Sequence, residues 1–373
     1  MGTHAPIRLF NATVSQEIEQ AALDVMRSGQ IASGPKVAEF EHAFGTHIGR
    51  PHLVSTSDMT SALVIALRLA GVGEGDEVMT LAFSCMSSNS AIAIAGAKAV
   101  WIDIDPATAT MSVEDLKRAL GPRSKAVILY HVAGYPGPAS EILAVCKEHG
   151  LTLIEDCNNA LGATQHGLPV GALGDYSVFS FYPNRQINAF EGGALACPDA
   201  STHTRALNLR RFGIDPATFR DTTGEINPQS DIPEIGFSAS FNQLNAAVGM
   251  KQMDGLNARV TKTFSNAYLL SQALRDIQGI EIVLATQGSQ PAHWAFLALA
   301  ENRDRLLARL KEKDVLASKL HHRNDSYSGF HSNSRSLPGT DHFTDRIIGL
   351  PCGWWLDEHD ISKVAEAVLR SVK

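Results

Sequence analysis

The chain has 373 residues, of which 44% are hydrophobic and 19% are charged, so it is expected to bury a large core in two packed domains rather than stay disordered. Its net charge of -7 comes without a basic run, which argues against nucleic-acid and anionic-membrane partners and favours small polar ligands. The five scattered cysteines indicate neither a disulfide framework nor a zinc site, and the lack of a signal-peptide pattern or a long apolar window predicts a cytoplasmic protein.

Apolar runs alternate with helix-length segments between about residues 60 and 200, which is typical of a parallel sheet with helices on both faces. Five short strands are predicted, as in a sheet that is buried on both faces: 77–83, 99–105, 126–132, 151–157 and 176–182. Two helices are predicted between them, over 112–120 and 139–150, and the second ends at Gly150.

The pattern changes after about residue 245. One long amphipathic helix is predicted over 245–274, followed by a strand near 280–283 and helices over 303–313 and 360–372. These elements predict a small α+β domain over 246–373, after a large α/β domain over 1–245. The polar, turn-rich segment 215–236 is predicted to be a loop near the site or at an interface.

Six segments, in order and spread over almost the whole chain, resemble the DegT/DnrJ/StrS family of aminotransferases, which modify nucleotide-linked keto sugars. They are SGQIASGPKVAEFEHAF (28–44), TSALVIALRLAGVGEGDEVMT (60–80), LIEDCNNALGA (153–163), GALGDYSVFSFYPNRQINAFEGG (171–193), LRRFGID (209–215) and SFNQLNAAVGMKQM (240–253). The resemblance implies the aspartate aminotransferase-like fold of PLP-dependent transferases, fold type I, with a mostly parallel seven-stranded sheet. It also implies a homodimer whose sites lie at the interface between subunits.

The resemblance assigns four residues to a site for PLP or PMP. Asp156 matches the carboxylate that pairs with the pyridine nitrogen and keeps the ring protonated as an electron sink, although a helix cap is the alternative. Asn159 matches a residue that reaches the ring hydroxyl, and Ser180 matches a phosphate-binding serine. Thr60 opens a helix where family members hold the phosphate, and it fits a simple N-cap equally well.

The lysine that forms the internal aldimine in this family is replaced here. The stretch FYPNRQINAFEGG puts Arg185 at the matching position. A guanidinium stays protonated and offers no free amine for a Schiff base. No covalent PLP is therefore expected, and Arg185 is predicted to anchor an anion or a carbonyl group.

Other positions of the cofactor site differ as well. Met59 replaces a glycine of the phosphate cup, Cys85 or its neighbour Met86 replaces an aromatic residue that stacks on the ring, and Ser238 replaces a partner-chain asparagine that reaches the phosphate. Each lost phosphate contact costs about 1–3 kcal/mol, so the inherited PLP/PMP-type site is predicted to be remodelled. Because several positions differ together, natural divergence is favoured over a single engineered substitution.

The residues that match the family's substrate-binding segment depart less from the family than those of the cofactor site. His321, Arg323, Asp325 and Tyr327 match a family segment that approaches the sugar or its nucleotide, and they predict a polyhydroxylated ligand; a solvated polar loop is the alternative. His131 follows a strand and is a candidate general base, although a core histidine bonded to the backbone fits almost as well.

The resulting hypothesis is an enzyme of sugar or antibiotic biosynthesis, a transferase or lyase with a lysine-free active site. It would act on a sugar-like small molecule, either with PMP bound non-covalently or without a cofactor. Two alternatives stay open. One is an ordinary PLP-dependent keto-sugar aminotransferase that carries a lysine-to-arginine substitution, and the other is a catalytically inactive homologue with a binding or regulatory role.

Overall fold

A computed structural model describes residues 5–330 and 335–372 of the chain. The described residues form twelve α-helices: α1 Gln16–Ser28, α2 Pro35–His47, α3 Met59–Leu69, α4 Met86–Ile94, α5 Val113–Ala119, α6 Ala139–His149, α7 Ala200–Arg210, α8 Gln243–Met253, α9 Leu256–Leu274, α10 Arg303–Glu312, α11 Pro338–Arg346 and α12 Glu358–Val372. They also form fifteen β-strands: β1 Leu53–Thr56, β2 Glu77–Leu81, β3 Lys98–Ile102, β4 Ile104–Asp105, β5 Thr110–Met111, β6 Ser124–Tyr130, β7 Thr152–Asp156, β8 Thr164–Gln165, β9 Leu168–Pro169, β10 Tyr176–Ser180, β11 Gly193–Ala196, β12 Ile280–Ile282, β13 Ser289–Gln290, β14 Phe296–Ala300 and β15 Ile347–Leu350. Within these ranges, no helix combines the length and the apolar character needed to cross a membrane.

Seven strands form the central sheet in the order β1-β11-β10-β7-β6-β2-β3. The neighbours from β10 to β3 run parallel, and β11 is antiparallel to β1 and β10. Ile128 of β6 packs into one apolar cluster, whereas Val127 and Leu129 pack into another, because successive side chains of a strand point to opposite faces. The expected fold, a mostly parallel seven-stranded sheet of fold type I, is confirmed.

The elements predicted along the large sheet are present. The five predicted strands correspond to β2, β3 with β4, β6, β7 and β10, with shifts of one to a few residues at their ends. The two predicted helices are α5, whose N-cap Ser112 accepts a hydrogen bond from the N–H of Asp115, and α6, which ends at Gly150 with φ 66°. Residues 215–236 form turns and one isolated bridge without a helix or strand, as predicted.

The carboxyl-terminal part packs the sheet β12-β14-β15 against α9, α10 and α12. The prediction of one long helix over 245–274 is wrong, because α8 ends at Met253 and α9 begins at Leu256. Gly255 lies at the break, where its low helix propensity makes an interruption inexpensive. The two helices also pack on different partners, α8 on α1 and α2 and α9 on α12. The predicted domain boundary after residue 245 stays a prediction.

Candidate active site

The carboxyl ends of three neighbouring parallel strands meet at one edge of the central sheet. β6 ends at Tyr130, β7 ends at Asp156 and β10 ends at Ser180, and Tyr130 lies directly opposite Asp156 in the register. Ligands of open α/β sheets bind outside the carboxyl ends of the strands. The candidate site is therefore the group of side chains around this edge.

Asp156 is fully buried at the end of β7. Its Oδ2 accepts a hydrogen bond from Ser88 Oγ at 2.5 Å, and its Oδ1 accepts from the backbone N of Asn158 at 3.1 Å and from Asn158 Nδ2 at 2.8 Å. Burial raises the pKa of Asp156, and the donors of Ser88 and Asn158 oppose that rise. A carboxyl group with a raised pKa can hold or release a proton inside a cleft.

Tyr130 is the centre of a chain of hydrogen bonds. Its Oη accepts from Asn159 Nδ2 at 2.7 Å and from the backbone N of Ala133 at 3.3 Å, and it lies 3.2 Å from His321 Nε2. Burial raises the pKa of Tyr130, so the hydroxyl keeps its proton and donates it to His321 Nε2. Burial and the charge of Arg185 lower the pKa of His321 to about 4, so this imidazole is neutral at pH 7 with its proton on Nδ1.

Arg185 lies partly buried beside this chain, in the loop after β10. Its Nη1 donates to Asn184 Oδ1 at 2.5 Å and its Nη2 donates to Asn158 Oδ1 at 3.1 Å. The buried Nε has no acceptor among the described residues. Burial lowers the pKa of Arg185 and the nearby Tyr130 opposes that decrease, but a guanidinium remains charged at any physiological pH.

Trp294, which the sequence analysis did not single out, connects the arginine and the histidine. Its Nε1 donates to the carbonyl of Asn184 at 3.0 Å. The centre of the indole lies 5.2 Å from Arg185 Cζ, and it stacks on the His321 ring at 6.2 Å with an angle of 8° between the planes. Phe10 also stacks on the indole, at 4.1 Å. No sequence motif marks this tryptophan, because its role depends on contacts with residues more than 100 positions earlier in the chain.

The amino terminus of α3, which matches the family's phosphate cup, is capped by a carboxylate. Asp58 Oδ1 accepts from the backbone N of Ser61 at 2.8 Å, and Asp58 Oδ2 accepts from the hydroxyls of Ser57 at 2.8 Å and Ser61 at 2.7 Å. Met59 is buried in the first turn, and Thr60 Oγ1 donates to a carbonyl of α4 at 3.1 Å. The cap is Asp58, so the alternative assignment of Thr60 as the N-cap is wrong, and a negative charge already faces the helix dipole.

Of the three other predicted cofactor residues, only Cys85 interacts electrostatically with Arg185 among the described residues. Cys85 precedes α4, is a partly exposed free thiol, and is close enough to Arg185 to affect the pKa of its guanidinium. Ser180 Oγ accepts the backbone N–H two residues further on at 3.4 Å. Ser238 forms an isolated bridge with Arg211, and its predicted role toward a partner chain stays a prediction.

The predicted substrate segment divides into two parts. His321 joins the chain of hydrogen bonds around Tyr130, as described above. Arg323 instead donates to both carboxylate oxygens of Asp325, at 2.8 Å and 2.6 Å, and also pairs with Asp341. Tyr327 is 44% exposed. An anion contact by Arg323 would therefore compete with two carboxylates of the chain itself.

His131 has both ring nitrogens engaged inside the core. Its Nδ1 accepts the N–H of Gly137 at 3.0 Å, so the proton lies on Nε2, which faces Glu155 Oε2 at 3.2 Å. Burial would raise the pKa of Glu155, but His131 and three backbone N–H groups of residues 171–174 hold it below its usual value. Cys157 completes a group of three ligand-type residues within 4.8 Å. Because their hydrogen bonds are satisfied, this geometry favours the core-histidine alternative over a general base or a metal site.

The chain matches known proteins over nearly its whole length. The sequence model of the DegT/DnrJ/EryC1/StrS aminotransferase family matches residues 12–369. Among solved structures, the sugar aminotransferase CalS13 from Micromonospora echinospora is 31% identical, with a TM-score of 0.92 over 98% of this chain and 99% of that chain. AtS13 from Actinomadura melliaura is 32% identical, with a TM-score of 0.92 over 99% of both chains. The aminotransferase TlmJ from Streptoalloteichus hindustanus is 28% identical, with a TM-score of 0.91 over 99% of both chains.

Proposed function

The chain belongs to the DegT/DnrJ/EryC1/StrS aminotransferase family, and from that premise we propose that it is an enzyme of sugar or natural-product biosynthesis that works without a Schiff base between PLP and a lysine. The observation that carries the proposal is the guanidinium of Arg185, which lies beside Asp156 and Tyr130 at the carboxyl edge of the sheet. The reaction is a group transfer or a lyase reaction on a sugar-like substrate. The relatives named as sugar aminotransferases support this substrate class.

The residues of the cleft do not fit covalently bound PLP. An arginine offers no free amine, and no lysine of the described chain takes part in the hydrogen bonds of Arg185, Asp156 or His321. At the amino terminus of α3, a phosphate would face the carboxylate of Asp58. This carboxylate already accepts a hydrogen bond from the backbone N–H of Ser61. The mechanism is therefore argued from the side chains of the chain alone.

These side chains can bind and polarise an oxygen-rich ligand. Arg185 offers a forked, permanently charged donor to a carboxylate or a developing oxyanion. Tyr130 and Asn159 fix the ring of His321, so that its Nδ1–H is a directed donor. Asp156 is buried and accepts three hydrogen bonds, so its raised pKa lets it hold a proton inside the cleft without a direct contact with the substrate. His131 has no part in this proposal, because its ring nitrogens already form hydrogen bonds.

The experiment that tests this proposal looks for lysine-bound PLP in the wild-type protein. The purified protein is incubated with PLP and reduced with borohydride, and its peptides are mapped by mass spectrometry. We expect only traces of modification, spread over exposed lysines, because no lysine of the described residues hydrogen-bonds to Arg185, Asp156 or His321. A single lysine modified at one equivalent per chain would show that the enzyme uses a Schiff base after all.

A further inference from the structure

Arg185 is a partly buried cation that forms no salt bridge with a carboxylate of the described residues, although Asp156 is close enough to affect its pKa. Two other partly buried arginines of the chain pair with carboxylates, Arg210 with Glu41 at 2.5 Å and Arg335 with Asp115 at 2.9 Å, whereas Arg50 and Arg259 donate to backbone carbonyls. Arg185 instead donates to the side-chain oxygens of two asparagines, which are neutral. A guanidinium that is partly removed from water without a direct ion pair is unfavourable, so an anionic ligand that pairs with Arg185 would be stabilised.

The donors of Arg185 are only partly used. A guanidinium has five N–H groups in a planar fork, and the described residues accept from two of them. The nearby carboxylate of Asp156 already accepts three hydrogen bonds, from Ser88 and Asn158. The remaining donors of Arg185, including the buried Nε, therefore have no acceptor in the described chain.

A second unsatisfied group belongs to Asn159, a hydrogen-bond partner of Tyr130. Asn159 uses its Nδ2 to donate to Tyr130 Oη, but its Oδ1 is buried and has no donor among the described residues. A buried amide oxygen without a donor costs free energy that a ligand hydroxyl recovers. The cleft thus combines the unused N–H groups of the Arg185 guanidinium with the unused amide oxygen of Asn159.

We propose that the ligand of this cleft is a polyhydroxylated molecule with an oxyanion, in which the oxyanion binds the fork of Arg185 and a hydroxyl donates to Asn159 Oδ1. A sugar acid and a sugar phosphate share this chemistry. The inference rests on the proposed function, because both require that the cleft at Arg185 receives the substrate. It adds that an oxyanion of the substrate binds at Arg185 itself.

Calorimetric titration of the full-length protein tests this inference with matched probes. The probes are D-glucuronate and D-galacturonate as sugar acids, glucose 1-phosphate as the phosphate arm, and D-glucose and D-galactose as neutral controls. We expect at least one anionic probe to bind about tenfold or more tightly than its neutral counterpart. Binding of a sugar acid would indicate that the oxyanion is a carboxylate, and binding of glucose 1-phosphate would indicate a phosphate. No preference for any anionic probe would overturn the inference.

Two variants separate recognition by Arg185 from a general effect of charge. Arg185→Gln should lose the preference for the anionic probe about tenfold or more and leave the neutral sugars unchanged. Arg259→Gln is the matched control, because Arg259 also lacks a carboxylate partner and lies over an indole, that of Trp354, but it donates to backbone carbonyls. An Arg185→Gln protein that keeps the full preference would overturn the inference. That outcome leaves the borohydride result untouched, so failure of this inference and failure of the proposed function are distinguishable.

Discussion

Because His321 is neutral, both its ring and the guanidinium of Arg185 can pack against the indole of Trp294. The His321 ring stacks on the indole and the guanidinium of Arg185 lies over it. Two cations so placed would repel each other, and the charge of Arg185 indeed adds to burial in lowering the pKa of His321. The uncharged imidazole also accepts the hydrogen bond of Tyr130, which an imidazolium could not do.

The neutral state of His321 predicts how stability depends on pH. The pKa of His321 is about 4 in the folded protein, against 6.5 for the free side chain. Between these values the unfolded chain binds more protons than the folded chain, so the free energy of unfolding decreases as the pH falls from about 6.5 to about 4. The variant His321→Gln, which cannot titrate there, should show a smaller decrease when urea unfolding is measured at successive pH values across this range.

A second histidine provides the control for this measurement. Burial also lowers the pKa of His293 to about 4, and its ring packs against Tyr135 rather than Arg185. The variant His293→Gln should flatten the pH dependence in the same way. Only His321→Gln should also weaken the binding of an anionic sugar. A His321→Gln protein with the pH slope of the wild type would refute the neutral assignment.

At the scale of elements, the amino terminus of α3 differs from a helix end that is free to bind an anion. Its first turn is capped by Asp58, whose carboxylate takes the N–H of Ser61 and two hydroxyl groups. Such a cap stabilises a helix by about 1 kcal/mol and places a negative charge at the positive end of the dipole. An incoming phosphate would have to displace that carboxylate. The cap thus stabilises the fold while making the position unfavourable for a second anion.

The sequence predicted the elements that carry strong local patterns and missed those that depend on distant contacts. The strands β2, β6, β7 and β10 are continuous apolar runs, and parallel strands buried on both faces require that pattern. The break between α8 and α9 was missed because the hydrophobic spacing continues through it and only Gly255 marks it. Asp156 and Asn159 were found by resemblance to a family block. Trp294 was not found, because its contact with Arg185 becomes apparent only in three dimensions. Asp58 was missed although its contact with Ser61 is local, because the resemblance drew the assignment to Thr60.

At the scale of the whole molecule, we expect a homodimer. Three large apolar side chains are well exposed: Phe190 (47%) in the loop after β10, and Phe212 (48%) and Ile235 (71%) in the segment 209–240. Both phenylalanines have positive φ, 64° and 61°, a conformation that side chains of this size rarely adopt. Burial against a second chain would compensate for exposed apolar surface and strain of this kind. Light scattering at micromolar concentration should therefore give a molar mass near twice 40.1 kDa, and a value near 40.1 kDa would contradict the expectation.

The central claim concerns how far the cofactor site has changed beyond one residue. If Arg185 is the only obstacle, restoring a lysine should restore an ordinary aminotransferase. If the site serves another chemistry, the side chains of Met59, Cys85 and Ser238 still lack the contacts that hold PLP in the family. The carboxylate of Asp58 also still repels the phosphate group. The two cases predict different affinities for PLP in the same variant.

The most direct measurement is the binding of PLP by Arg185→Lys, followed by absorbance, together with its transamination of a keto sugar with glutamate. We predict weak binding, little colour and no efficient turnover, and tighter binding when Asp58→Ser is added, because the serine keeps a cap and removes the charge. Asp199→Ser, which changes the similar but exposed cap of helix α7, should leave PLP binding unchanged. A strongly yellow and fully active Arg185→Lys protein would contradict the account.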